Sequence, residues 1–221
     1  SWEYGKNVGT VDDCWQLPDG HILFADNVSV TEIDPKSGEV VFRYVPEEQE
    51  GGATFTCQRL ENGNTVVGLN SNNTVVEVDG DGKVVFTMKC QYLEKLGSHN
   101  NMRLVRKLKN GNYLVCQKWT GKAVEYKPDG SIVREYSDGE GKIVFAAIEL
   151  PDGHILASFL DSIVEFNRDG KQTWRFDKSD LPDVEITYMC GLQQLPSGNI
   201  VIGNYAANRG DTHANSMLEI S

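Results

Sequence analysis

Basic residues are scarce in this chain: 21 Lys and Arg stand against 32 Asp and Glu, giving a formal net charge of −11. Phosphate backbones require a basic face, so this balance excludes nucleic acid as a partner. Long apolar runs are missing too, and nothing approaches the ~20 residues of a membrane-spanning helix. The five cysteines are an odd number, and no two are spaced as CxxC. That removes the spacing on which a zinc ribbon or a dithiol centre rests. Cys14, Cys57, Cys90, Cys116 and Cys190 are expected as small buried core residues. There is no nucleophile elbow, no P-loop and no dinucleotide-binding glycine run on a strand–helix unit. Ser1-Trp2-Glu3-Tyr4 does not form a signal peptide, which leaves export undecided. Helical pattern is almost absent, with one turn of helix conceivable over 92–96.

What the chain has instead is repetition. Leu17-Pro18-Asp19-Gly20-His21-Ile22-Leu23 returns letter for letter as Leu150-Pro151-Asp152-Gly153-His154-Ile155-Leu156. Looser copies begin at Leu60, Leu108 and Leu195, and the turn glycines Gly20, Gly63, Gly111, Gly153 and Gly198 are 43, 48, 42 and 45 residues apart. Each copy reads as apolar residue, polar turn with Gly, then a β-rich run, which is a hairpin signature. A second hairpin follows in every repeat. In the first it is Val30–Ile33, a turn at 34–38 and Val40–Tyr44; in the fourth it is Ser162–Phe166, Asn167-Arg168-Asp169-Gly170 and Lys171-Gln172-Thr173-Trp174.

Four antiparallel strands per unit of 40–50 residues, repeated in series, is the pattern of an all-β β-propeller. A small sheet cannot cover both its apolar faces alone, and radial packing of sheets covers them. Five repeats are visible, expected as one domain over 1–221 with blades at roughly 14–44, 57–88, 102–136, 145–176 and 189–220. Residues 2–4 are expected to act as the strand closing the last blade, giving a five-blade ring. Five blades of a six- or seven-bladed propeller is the alternative.

Several tempting residues belong to the repeat. Glu32, Glu77, Glu125, Glu165 and Glu219 hold the same place in every third strand, so they are expected to serve the blade, facing outward beside residues such as Arg43 or Arg175. Asp79-Gly80-Asp81-Gly82 and the 34–38 segment resemble pieces of a calcium loop but sit where a hairpin must turn. His21 and His154 recur inside the turn phrase and read as blade residues.

The irregular connections are the informative ones, because recognition residues concentrate on loops carried by a rigid scaffold. Links between the second and third strands, and between blades, emerge at the end of the blade opposite the stereotyped turns. They contribute His99, Asn100, Asn101, Arg103, Lys118, Trp119, Tyr205, Arg209, Asp211 and His213 as candidate ligand-binding residues. Cations there favour an anionic or polyhydroxylated ligand, and Trp119 and Tyr205 offer stacking surfaces. The leading reading is a non-enzymatic propeller binding a carbohydrate-like, anionic or protein ligand. The alternative is a glycan lyase or hydrolase with His99 or His213 as general base and Arg103 or Arg209 steadying an enolate, or with His99, His213 and Asp211 on a metal. No spacing supports a metal centre or a cofactor, and neither is expected.

The turn phrase and the hairpin Asn167 to Trp174, of the form D-x-x-G-K-x-x-W taken loosely, resemble the quinoprotein-like (PQQ-like) β-propellers, especially exported bacterial ones of unknown role. The resemblance spans essentially the whole chain. It implies the propeller fold and a periplasmic, secreted or surface-anchored location. The hairpin Trp becomes Phe42, Phe86 and Arg134 elsewhere, and no calcium–quinone constellation is present, so no quinone is expected.

Overall fold

The computed structural model describes residues 10–47, 54–91, 101–205 and 217–221. Nineteen strands and two short 3-10 turns make up the regular structure of those residues. The fold is all-β, a series of five antiparallel sheets that are the blades of a β-propeller.

Blade 1 is β1 (Val11–Gln16), β2 (Ile22–Asp26), β3 (Val30–Ile33) and β4 (Val40–Tyr44), paired in that order. Blade 2 is β5 (Thr54–Arg59), β6 (Thr65–Leu69), β7 (Thr74–Val78) and β8 (Val84–Lys89). Blade 3 is β9 (Met102–Lys107), β10 (Tyr113–Gln117), β11 (Lys122–Tyr126) and β12 (Ile132–Ser137). Blade 4 is β13 (Val144–Glu149), β14 (Ile155–Phe159), β15 (Ser162–Phe166) and β16 (Gln172–Asp177). Blade 5 shows β17 (Met189–Gln194), β18 (Ile200–Asn204) and β19 (Met217–Ile220). The proposed closing strand at 2–4 and the helical turn at 92–96 lie outside the described residues. No helix among the described residues is long and apolar enough to cross a membrane.

The repeated phrase makes the same turn five times. Leu17 N–H donates to the His21 carbonyl at 2.8 Å, Gly20 N–H donates to the Leu17 carbonyl at 2.9 Å, and the other four copies repeat both bonds within 0.1 Å. The turn glycines all have φ between 86° and 94°. This is a three-residue loop closed by a left-handed residue, a place where a Cβ is costly and Gly is the natural occupant.

One further regularity was not legible. The first strand of blades 1, 2, 4 and 5 carries a β-bulge, skipping register between Val11 and Asp13, Thr54 and Thr56, Val144 and Ala146, and Met189 and Gly191. The bulge also hides the strand starts: β1 and β5 begin three residues before the apolar pattern suggests, because Asp12, Asp13, Thr54 and Thr56 interrupt it.

The chain divides into two compact units, Ser1–Tyr113 with Tyr126–Ser131, and Leu114–Glu125 with Ile132–Ser221. In the first, Leu23, Ala25, Val30, Phe42, Cys57, Val67, Val76 and Val78 form a continuous core between blades 1 and 2. In the second, Leu156, Ile163, Phe176, Met189 and Ile202 do the same between blades 4 and 5. Leu23, Cys57, Val67, Leu156, Ile163, Met189 and Ile202 are fully buried, each worth about 1.5–3 kcal/mol relative to exposure if as large as Val or Leu. Of the cysteines, Cys57, Cys90 and Cys116 are buried as expected; Cys14 is exposed and Cys190 half-buried, a correction to the core reading. All five are free thiols, and burial holds the Cys57 thiol well above its ordinary pKa.

Candidate functional site

The recurrent glutamates are not outward-facing partners of Arg43 or Arg175. Strand register places Arg43 opposite Thr31 and Arg175 opposite Val164. Glu32, Glu77 and Glu125 are buried, and each meets a polar side chain of its own blade or the next. Glu32 accepts from His21 Nδ1 at 2.8 Å and from Arg59, which lies at the end of the next blade's first strand. Glu77 is ion-paired with Lys107 and accepts from the Tyr113 hydroxyl at 2.5 Å. Burial and the bond to Glu77 push the Tyr113 phenol strongly upward. Glu125 lies 3.3 Å from the Tyr136 hydroxyl, which burial and that carboxylate raise to about 12. The carboxylates are thus each given a hydrogen-bond or ion-pair partner, as buried charges must be.

Within the first unit, the bulges re-aim side chains. Asp12 and Phe55 are the bulged residues of β1 and β5, and both meet Arg103 of β9. Arg103 Nη2 is 3.2 Å from Asp12 Oδ1, and its guanidinium carbon lies 5.0 Å from the centroid of Phe55. Beside them Asp13 accepts from both terminal nitrogens of Arg106, from Thr56 Oγ1 at 2.9 Å and from Cys57 N–H at 3.0 Å. The Arg106 guanidinium stacks 4.7 Å above the Trp15 ring, whose Nε1 donates to the Cys57 carbonyl at 2.7 Å. Asn101, another sequence candidate, is buried, and its Nδ2 donates to the Asn70 carbonyl at 3.2 Å. In this unit the candidates Asn101 and Arg103 are therefore engaged in joining blades.

The second unit brings other candidates together. After β10 the segment Lys118–Thr120 forms a single 3-10 turn, closed by Gly121 at φ 66° and by Thr120 Oγ1 donating to the Gln117 carbonyl at 2.9 Å. Only Gly fits at 121, because an added Cβ would run into the Lys142 carbonyl. The turn carries Trp119, half exposed, with Lys118 Nζ 5.6 Å from its ring centroid and 5.8 Å from that of Phe145. Phe145 is the bulged residue of β13. Its ring centroid is 6.2 Å from Tyr188, which is in turn 6.3 Å from the half-exposed Tyr205. The buried Asn204 fixes that corner: its Oδ1 accepts from Thr187 N–H and its Nδ2 donates to the Glu185 carbonyl, both at 2.9 Å. Tyr205 N–H then donates to the Tyr188 carbonyl at 2.9 Å.

Lys118, Trp119 and Tyr205 thus belong to one aromatic–cationic group with Phe145 and Tyr188 as its floor, at the loop end of blades 3, 4 and 5. Phe145 and Tyr188 escape a reading of the sequence, one because its bulge is invisible there and the other because it lies in a long link. Extended aromatic surface beside an ammonium can stack against a sugar or aromatic ring and attract an anion. The candidates His99, Asn100, Arg209, Asp211 and His213 lie outside the described residues.

Comparison with known proteins bears on the fold. No family model matches the chain, and no curated protein does. Among solved structures, a protein of unknown function from Bacteroides caccae aligns with 96% of this chain and 77% of its own, at TM-score 0.79 and 22% identity. Virginiamycin B lyase from Staphylococcus aureus, bound to quinupristin, aligns over 97% of this chain and 71% of its own, at TM-score 0.69 and 13% identity. The WD40 β-propeller domain of Doa1 aligns over 92% of this chain and 60% of that one, at TM-score 0.68 and 12% identity. At such identities the likeness establishes the β-propeller fold, which hosts many unrelated functions.

Proposed function

We propose that the chain is a non-enzymatic, ligand-binding β-propeller domain spanning 1–221, and that it takes a carbohydrate-like or anionic ligand at the loop end of its blades. The observation that carries this is the half-exposed pair Trp119 and Tyr205, standing on Phe145 and Tyr188 with Lys118 alongside. Soluble folds seldom leave several aromatic rings exposed in one group without a partner for them. The ammonium is the attractive element for an anion on a chain of net charge −11. The further sequence candidates His99, Asn100, Asn101, Arg103, Arg209, Asp211 and His213 are kept as recognition residues on the strength of their place in irregular links alone. The resemblance of the turn phrase and of the Asn167–Trp174 hairpin to quinoprotein-like propellers supports an exported bacterial protein, without a quinone.

Screening acidic and neutral oligosaccharides by thermal shift tests the reading, since a ligand selective for the folded state raises the melting temperature. A hit lost in Trp119→Ala and Tyr205→Ala supports it; a hit indifferent to both places binding elsewhere and sinks it. The second reading is a glycan lyase or hydrolase at the same loop end, as the sequence suggests; the virginiamycin B lyase among similar structures shares the fold only. Release of unsaturated product, lost in His99→Ala, establishes that alternative.

A further inference from the structure

The exact heptapeptide repeat carries a chemical difference from its looser copies. At the residue after the turn glycine, blades 1 and 4 have His21 and His154, while the other three have Asn64, Asn112 and Asn199. At the residue before the glycine, the same two blades have Asp19 and Asp152, while the others have Asn62, Asn110 and Ser197. Imidazole and carboxylate therefore come together or not at all. A hydrogen bond to the strand glutamate does not require them: Asn199 Nδ2 reaches Glu219 Oε1 at 2.7 Å, and Asn64 Nδ2 is 3.5 Å from Glu77 Oε2.

In blade 4 the combination gathers three donor atoms. His154 Nδ1 is 2.5 Å from Glu165 Oε1 and 3.8 Å from Asp152 Oδ2, and all three lie within 4.8 Å of one another. A tetrahedral ion with bonds of about 2.0–2.2 Å wants donor atoms roughly 3.4 Å apart, a spacing that falls between these two distances. The triad is held from behind. Asp152 Oδ1 accepts from His154 N–H at 2.9 Å, and Glu165 Oε1 also accepts from Thr173 Oγ1 at 3.0 Å. In the corresponding triad of blade 1, Asp19, His21 and Glu32, the glutamate is buried and Arg59 already occupies its Oε2. Among the described residues Glu165 is ion-paired with His154 alone, while Arg168 packs against Gly153 and reaches toward Glu149 at 3.5 Å.

We propose that Asp152, His154 and Glu165 form a binding site for a divalent transition-metal ion of the zinc, cobalt or nickel kind. Two carboxylates and a neutral imidazole suit such an ion in charge and in donor type, and they leave a coordination position for water. Binding displaces the proton that His154 Nδ1 otherwise shares with Glu165, and the ring keeps its proton on Nε2. Proton and metal therefore compete for Nδ1, and affinity rises with pH.

The test is calorimetric titration of the tag-free full chain with Zn2+ and Co2+ at pH 7.5. One equivalent is expected, with affinity falling at least about tenfold in Glu165→Gln and lost in His154→Asn. Three repeats already carry Asn at that position, so the second variant keeps the fold, which circular dichroism verifies. His21→Asn leaves the equivalent in place. Absence of binding by the wild-type chain, or undiminished binding by His154→Asn, overturns the proposal. So does thiolate charge-transfer absorption in the Co2+ complex, which would assign the ion to a cysteine such as Cys14.

Discussion

Asp13 and Arg106, separated by 93 positions in the sequence, meet through two parallel hydrogen bonds of 2.7 and 3.0 Å. Their side chains retain only 8% and 11% of their exposure. The carboxylate also binds the backbone of blade 2, so one residue of β1 secures β5 and β9 together.

Removing one partner of this pair leaves a desolvated charge. Asp13→Ala and Arg106→Ala are each expected to cost about 3 kcal/mol or more in urea unfolding. The double variant Asp13→Leu with Arg106→Met should cost less than the sum of the single changes, because no unpaired charge remains. Strict additivity would show that the two residues act independently.

The histidine–glutamate contacts make part of the stability pH-dependent. His21 and His154 have raised pKa values, chiefly through their bonds to Glu32 and Glu165. Each contribution is complete below the unfolded value of about 6.5 and disappears as pH rises through the higher folded value. With a chelator present, the wild type should exceed a His21→Asn/His154→Asn variant in melting temperature by more at pH 6 than at pH 8.5. A gap that stays constant across this range would contradict the coupling.

The exposed tryptophan separates binding from folding. Trp119→Ala should leave unfolding free energy within about 0.5 kcal/mol of wild type, because the ring is half solvated. Affinity for a ligand that stacks there should fall about tenfold, equivalent to about 1.4 kcal/mol. A large stability loss would make the ring a structural cover.

Glycine at 121 is more constrained than glycine in the repeated turns. Gly63 has φ 87° with open space beside it, so Gly63→Ala should cost about 1–2 kcal/mol. Gly121→Ala meets the same left-handed penalty and also the Lys142 carbonyl, so it should cost more. It should lower ligand affinity as well, since the 3-10 turn bearing Trp119 must shift. Equal costs at the two sites, measured by chemical denaturation, would remove Gly121 from the site.

Much of the architecture was legible because its causes are local. The Leu17-to-Leu23 phrase fixes a three-residue turn through Gly20, and its recurrence forces four-stranded units in series. Trp119 and Tyr205 stood out in the sequence because they interrupt stereotyped links, and the structure leaves both rings half exposed. Asp12, Phe55 and Phe145 were not, because a bulge skips one residue of register without leaving a mark in the pattern of residue types. The glutamates of the third strands were misplaced for a related reason. Their positions were evident, but their partners, Arg59 and Lys107, come from the following blade.

By itself the order of residues determined strand, turn and repeat, since alternation and a left-handed glycine act over a few neighbouring positions. Tertiary structure decided which charges are neutralised, which rings share a surface, and that a turn aspartate, a histidine and a strand glutamate converge in blade 4. Those outcomes depend on distances between segments tens of residues apart, and packing of the sheets sets them.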